Sequence, residues 1–371
     1  MKIADSRPVS NGRADTVTIE DVAQAARVSI STVSNALNGR IERMRGETLA
    51  RIEAAISALG YRPNHAARQL KTGHTPILGL LVPSIANPAY GMLARAVEVA
   101  AQELHGYRVL LANTYRSQEK ESSFFQDLLS HGIRGVIVMS SLPDQKHFEA
   151  AVERGLVAVS YDRRAPANES PKLDYVSMDN FKAAHVATRH LIEHGHRRIA
   201  FATAAGRTLS RAEKIEGFRA AMADAGLSRI AAVLESKAKT AYGDAEMAEL
   251  GRSVARTVAQ RESRPTGIVA VNDMLAIGLI GELRKQGLRV PEDVSVVGMD
   301  DLFLAPLLYP PLTTIQPPLR DLARTMVNRV MTRMADGAIP AREFLFDPVL
   351  IRRDTVSRPR SQPPQPRNQG K

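Results

Sequence analysis

Residues 18–38 read TIEDVAQAARVSISTVSNALN, and this stretch decides the fold of the N-terminal part. Thr18 followed three residues later by Asp21 has the form of a capping box, an oxygen acceptor and then a carboxylate at a helix start. Val22, Ala23 and Ala26 then recur on one helical face. Ala23 is small enough for a second helix to cross closely. After Arg27 and Val28, Ser29 is placed to cap a second helix, whose Val33, Ala36 and Leu37 turn inward. Ile30, Ser31, Thr32, Ser34 and Asn35 remain on the outward face. A short helix that spends this face on hydroxyls and an amide is suited to base edges in a major groove. The same pattern also fits an ordinary helical hairpin, because helix-turn-helix signatures are loose.

Working outward, Glu47–Leu59 (ETLARIEAAISAL) is a third amphipathic helix, with Leu49, Ile52, Ala55, Ile56 and Leu59 inward and Gly60 ending it. Three helices in so short a span make a small bundle with a thin core. Pro63 cannot continue the preceding helix, while Asn64 is placed to cap a new one of about two turns, marginal alone in water. Residues 71–76 complete a linker. Residues 1–16 are polar and aperiodic, which predicts disorder.

From Ile77 the texture changes. ILGLLV (77–82), RVLLA (108–112), GVIVM (135–139) and LVAVSY (156–161) read as buried parallel strands with helices between them. A second series follows, YVSM (175–178), RIAFA (198–202), GIVAV (267–271) and VSVVGM (294–299). Two such series predict an α/β core of two doubly wound subdomains, each with ligand-ready loops at its strand ends. Beyond Arg353 the Pro/Gln-rich sequence predicts a basic disordered tail.

The 371 residues are 44% hydrophobic and 24% charged, with no run long enough to span a membrane, and hold no cysteine for disulfides or thiolate metal sites. The polar start MKIADSRPVSNGRAD lacks the apolar core of a secretion signal, so the cytoplasm is the expected compartment. Net charge is +11; residues 1–76 carry eleven Lys/Arg against seven Asp/Glu and residues 352–371 six against one, leaving the middle near neutral. A basic head on a near-neutral body suits a head that meets phosphate. No GxSxG element, phosphate loop or dinucleotide fingerprint is present, so neither an enzyme nor a cofactor is expected. His190, His194 and His196 have a spacing that metal ligands use. They are better read as a helix ending at Gly195 before a strand, and no metal is expected.

Eight segments carry a resemblance over roughly Thr18 to Arg353. They are the opening stretch, YRPNHAARQL (61–70), NPAY (87–90), HLIEHGHRRIAF (190–201), GFRAAM (217–222), NDMLAIG (272–278), VPEDVSVVGMDD (290–301) and PPLTTI (310–315). Together they are similar to the lactose/galactose-repressor family of bacterial transcription regulators. The resemblance implies a homodimer on a palindromic double-stranded DNA operator, and a periplasmic-binding-protein-like core holding a small-molecule effector. It also implies no membrane partner. The expected parts are a head (17–62), a hinge helix and linker (63–76) and a core (77–353). An N-subdomain takes about 77–163 and 318–343, a C-subdomain about 164–317 and 344–353, with a tail at 354–371. A co-repressor-dependent or activating regulator of the same family is the alternative, and a solute-binding protein a more distant one.

By resemblance, the helix from Ile30 lies in the major groove, where Asn35, Ser31 and Thr32 read bases and Ile30 meets a thymine methyl. Thr18, Ser34, Asn38 and Arg40 are assigned to phosphate. Asn64 starts the hinge helix, Ala67 lets two such helices pack, and Leu70 wedges into the minor groove. Arg27 stands where the family often has glycine, a turn position tending to positive φ, at a cost of about 1 kcal/mol. Arg45-Gly46 replaces the usual capping start of the third helix. Family positions carried over singly place Tyr90, Asp162, Arg163, Ser210, Lys214, Asn272 and Asp300 on the effector, with Asp301 structural. Asp and Asn at strand ends suit hydroxyl-rich ligands. Lys214 in place of arginine, Arg163 and Ala238 at stacking positions and Ala89 in place of an aromatic point to a sugar acid or sugar phosphate. The competing reading pairs Arg163 and Lys214 with Asp162 and Glu213.

Overall fold

The computed structural model describes residues 17–37, 39–42, 44–61, 75–140, 142, 146–166, 172–205, 208–236 and 246–360. The chain divides between Thr75 and Pro76 into a small N-terminal unit and a large C-terminal one.

The first unit holds α1 (Ile19–Ala26), α2 (Ile30–Leu37) and α3 (Gly46–Leu59). The capping box forms as the spacing requires: the Asp21 amide donates to Thr18 Oγ1 at 3.3 Å and the Thr18 amide to Asp21 Oδ2 at 2.7 Å. Arg27 ends α1 at φ 53°, in the left-handed region. Ser29 Oγ accepts the Thr32 amide at 3.2 Å and so opens α2. Arg45 makes no side-chain cap to α3. Val22, Ala23, Ala26, Val33, Ile52 and Ala55 form the core. Full burial of Val33 or Ile52 contributes about 1.5–3 kcal/mol. Leu59, expected inside, is exposed: the chain turns at Gly60 before another element covers it.

The second unit is two six-stranded sheets. In chain order its elements are β1 (Ile77–Val82), α4 (Pro88–His105), β2 (Arg108–Asn113), α5 (Gln118–Ser130), β3 (Gly135–Val138), α6 (Lys146–Glu153), β4 (Val157–Tyr161) and β5 (Asp174–Met178). Then come α7 (Asn180–Glu193), β6 (Ile199–Ala204), α8 (Leu209–Asp224), β7 (Ala232–Ser236), α9 (Glu246–Ala259), β8 (Gly267–Ala270), α10 (Asp273–Lys285) and β9 (Ser295–Met299). The last are β10 (Thr313–Gln316), α11 (Leu319–Ala335), β11 (Glu343–Phe346) and β12 (Val349–Ile351).

The first sheet runs β11-β5-β4-β3-β1-β2, all parallel; the second runs β12-β10-β9-β8-β6-β7, parallel except for the β10–β12 pair. The apolar runs follow from covering both faces of each sheet. In β1, Leu78, Leu80 and Val82 pack with α4 and α11, while Leu81 between them packs with Phe124, Phe125 and Leu128 of α5. The second sheet and α7–α10 share one continuous core.

Three expectations change. The strand at 175–178 belongs to the first sheet rather than the second series, so the first crossing falls at Asp179, not at 163. Residues 344–346 also join the first sheet, against β5, which moves the last crossing to 347–348. An apolar run states that a strand is buried but not which sheet it joins. The tail does not begin at 354. Thr355 is fully buried, its hydroxyl donating to Val296 O at 2.7 Å and accepting the Thr313 amide at 2.9 Å. Thr355, Val356 and Ser357 lie as a short apolar and hydroxylic patch inside a Pro/Arg-rich run whose composition conceals it.

Candidate functional site

On α2 the outward face carries exposed Ile30, Ser31 and Asn35, with Thr32 and Ser34 half-buried. Ser29 Oγ lies 2.8 Å from Ser31 Oγ and 2.7 Å from Thr32 Oγ1, so the cap also orients the two hydroxyls assigned to bases. Thr18, assigned to phosphate, spends its hydroxyl on Asp21 at 2.8 Å. Arg40 is exposed. Asn38, Asn64, Ala67, Leu70 and Ala238 lie outside the described residues, as do the N-terminal segment and residues 361–371.

In the second unit a cavity of about 130 Å³ opens between the two sheets. Its walls are the carboxyl ends of strands and the helix starts after them, where open α/β sheets bind ligands. From the first sheet come Tyr161 and Asp162 at the end of β4 and Arg116 after β2, with Tyr90 on α4. From the second come Asn272 after β8, Asp300 after β9, and Ser210, Arg211 and Lys214 in the first turns of α8. Six of the seven expected effector residues are therefore brought together.

Arg163 is the exception. It is buried away from the cavity and donates to Leu142 O at 2.8 Å. Asp162 has φ 60°, and that left-handed turn sends successive side chains in different directions. Lys214 does not pair with Glu213 either; it reaches Val271 O at 3.4 Å.

Hydrogen bonds hold the walls, both within one side and across the cleft. Asn272 caps α10 by accepting the Leu275 amide at 2.9 Å, which leaves its NH₂ as the group it offers the cavity. Asn180 donates to Asp162 Oδ1 at 2.9 Å. Burial pushes the Asp300 carboxyl up to about 8 against the pull of Lys214, with Asp273 and Asp162 adding repulsion. Burial, with Asp162 and Asp300, raises the Tyr161 phenol well above its ordinary range. Among the described residues six non-glycines have positive φ; Arg116, Asp162 and Asp300 line the cavity. Backbone held in such regions collects at functional sites. Asp301 binds elsewhere, to Arg353 at 2.7 Å and Gln316 at 2.7 Å.

The sequence reading missed Arg116, Arg211, Asn180 and Glu246, all on the cavity wall. Arg211 stands three residues before Lys214, on the same face of α8, and Arg116 follows a strand end. Those two signals are visible in the sequence once the strands are assigned.

The profile of bacterial regulatory proteins, lacI family, matches residues 18–64, and that of the periplasmic binding protein-like domain matches residues 188–356. The HTH-type transcriptional repressor PurR of Aliivibrio fischeri (strain MJ11) is 33% identical over 344 residues, covering 91% of this chain and 98% of the relative. The chain belongs to the lacI family. Catabolite control protein A of Priestia megaterium, another lacI-family relative, is 30% identical over 319 residues, covering 85% of this chain and 92% of that one. The crystal structure of the lac repressor dimer bound to operator and the anti-inducer ONPF superposes with a TM-score of 0.78 at 25% identity, covering 92% of this chain and all of that one. A complex of the transcriptional regulator CelR with cellobiose gives 0.66 at 27% identity over 91% of this chain and 99% of that one. As a lacI-family member the chain is a DNA-binding transcription regulator and not an enzyme. No described helix is long and apolar enough to cross a membrane.

Proposed function

We propose that this chain is a cytoplasmic, ligand-responsive repressor that binds a palindromic operator as a homodimer and takes a sugar, sugar acid or sugar phosphate as effector. The effector sits in the cavity between the sheets, held by Tyr90, Asp162, Ser210, Lys214, Asn272 and Asp300. The observation that carries the DNA half is the division of α2. Val33 is buried, while Ile30, Ser31 and Asn35 face outward with their hydroxyl neighbours already ordered. Asn35 is the base reader, because its amide matches an adenine edge with two bonds. Ile30, Ser31 and Thr32 join it on bases; Thr18, Ser34, Asn38 and Arg40 meet phosphate. Asn64, Ala67 and Leu70 supply the hinge helix and wedge. The solved relatives with an operator and with cellobiose support both halves of this reading.

The effector acts by preferring one arrangement of the two sheets, a coupling typically of about 1–3 kcal/mol and reciprocal between DNA and ligand. The test is fluorescence anisotropy on a pool of palindromic duplexes at moderate salt, with Asn35→Ala alongside. One palindrome should be enriched, and the variant should lose about 1–3 kcal/mol of discrimination at one base pair. Uniform, salt-sensitive binding unchanged by Asn35→Ala would leave only a basic surface and sink the reading.

A further inference from the structure

The cavity between the sheets has a cation on each wall. Arg116 comes from the first-sheet side, after β2, and Arg211 from the second-sheet side, in the first turn of α8; Lys214 adds a third positive group beside Arg211. We propose that the effector carries an anionic group, a phosphate or a carboxylate, which seats between Arg116 and Arg211 and holds the two walls together. This rests on the reading of the cavity as the effector site and names the ligand chemistry that site selects.

Both arginines are built into place. Tyr115 and Arg116 have φ 51° and 59°, two successive non-glycine residues in the left-handed region, each disfavoured by roughly 1–2 kcal/mol. The surrounding backbone enforces the turn: the Thr114 amide donates to Val82 O at 3.0 Å, the Tyr115 amide to Pro83 O at 2.8 Å and the Ser117 amide to Thr114 O at 2.9 Å. A strained turn whose product is an arginine aimed at a cavity is the pattern of a site rather than of packing. On the opposite wall Arg211 is buried, with one guanidinium nitrogen donating to Ala204 O at 3.3 Å and to Ala205 O at 3.4 Å. Those carbonyls hold one nitrogen of the fork in place.

The two guanidiniums sense each other. Burial lowers the basicity of Arg211 most, and Arg116 lowers it next, ahead of the opposing pull of Glu246. Like charges on facing walls hold a cleft apart, whereas a planar fork on each side of an oxyanion makes charge-assisted bonds to both. Asp300, held near 8, keeps its proton at neutral pH, so Asp162 and Glu246 face three positive groups. The first turn of α8, capped by Thr208, turns its positive dipole end to the same side.

The test is calorimetry on the full chain with inorganic phosphate, gluconate, glucose 6-phosphate and glucose, at low and high ionic strength. Arg116→Gln and Asn272→Ala are run beside the parent. Phosphate should bind weakly, and at least one of gluconate and glucose 6-phosphate more tightly, telling carboxylate from phosphate. Salt should weaken all three. Arg116→Gln should lose at least tenfold for the anions while glucose affinity, read on the same folded variant, changes far less. Glucose binding that Asn272→Ala weakens and Arg116→Gln does not, with no anion bound, overturns the anion proposal while keeping the cavity as the effector site. Anion binding indifferent to both substitutions overturns the proposal and places the ions elsewhere. So does failure of all three anions to bind.

Discussion

The Asn180 side-chain amide donates a 2.9 Å hydrogen bond to Asp162 Oδ1, and the two residues belong to opposite sides of the cleft. Asp162 ends β4 of the first sheet; Asn180 opens α7, whose buried face packs on the second. The bond lies one residue past the first crossing. Asn180→Ala should leave the Asp162 carboxylate without this donor and cost about 1–3 kcal/mol, read as a lower melting temperature. Asp162→Asn should be milder than Asp162→Val, since Asn tolerates left-handed backbone and a β-branched residue does not. Equal effects of the two would remove the backbone argument.

Burial lifts Asp300 to about 8 and Asp273 to about 6, each from an ordinary 3.8. The folded chain then keeps protons that the unfolded chain loses, so these groups make stability fall as pH climbs from near 4 to the folded values. His190 acts in the opposite direction at the acid end. Burial, then His194 and Arg352, depresses it to about 4 from 6.5, so its contribution is lost as pH falls through that window. Between 6.5 and about 8 the contributions of His190 and Asp273 die away, and Asp300 dominates the remaining change. Denaturant unfolding of Asp300→Asn should show the parent's decline across that interval flattened. An unchanged slope would mean Asp300 ionises normally.

Gly217 of α8 meets α7 at contact distance: a Cβ there would lie 2.0 Å from Phe181 O. Gly217→Ala must push the helices apart at a backbone atom, at a cost of about 1–3 kcal/mol or more. α8 also carries Ser210, Arg211 and Lys214 into the cavity, so effector affinity should fall along with the melting temperature. Full affinity in a destabilised variant would show that the first turn of α8 is positioned independently of its middle.

Arg27 closes α1 at φ 53° without the freedom of glycine. Arg27→Gly should relieve roughly 1 kcal/mol. Hydrogen exchange of the α1 and α2 amides would slow accordingly, and faster exchange would show that the Arg27 side chain contributes more than its backbone costs.

The head was legible because its information is local. Caps at Thr18 and Ser29 and the recurrence of Val22, Ala23, Ala26 and Val33 are set within a few residues, and the structure follows them. Sheet membership was not, because the partner of Tyr175 is Glu343, and no pattern near either residue names the other. Strand-end polar residues marked the cavity correctly at Asp162, Asn272 and Asp300. Arg163 failed beside them because the sign of φ at Asp162 is set by tertiary context. A carboxylate and a guanidinium adjacent in sequence end up in different environments. Arg211 hides in the sequence for the opposite reason: next to a helix cap it looks like a surface charge until α8 is packed against the second sheet.

The threading of the chain through its two sheets has a consequence for biogenesis. The first sheet gains its edge strand only when residues 343–346 arrive, and the second only at 349–351. The head, complete by residue 61, can fold while most of the protein is still unmade. Neither half of the core can close before nearly the whole polypeptide has left the ribosome. Until those residues arrive β5, and late in synthesis β10, lacks a neighbour on one side, an unpaired edge that the helical head never presents.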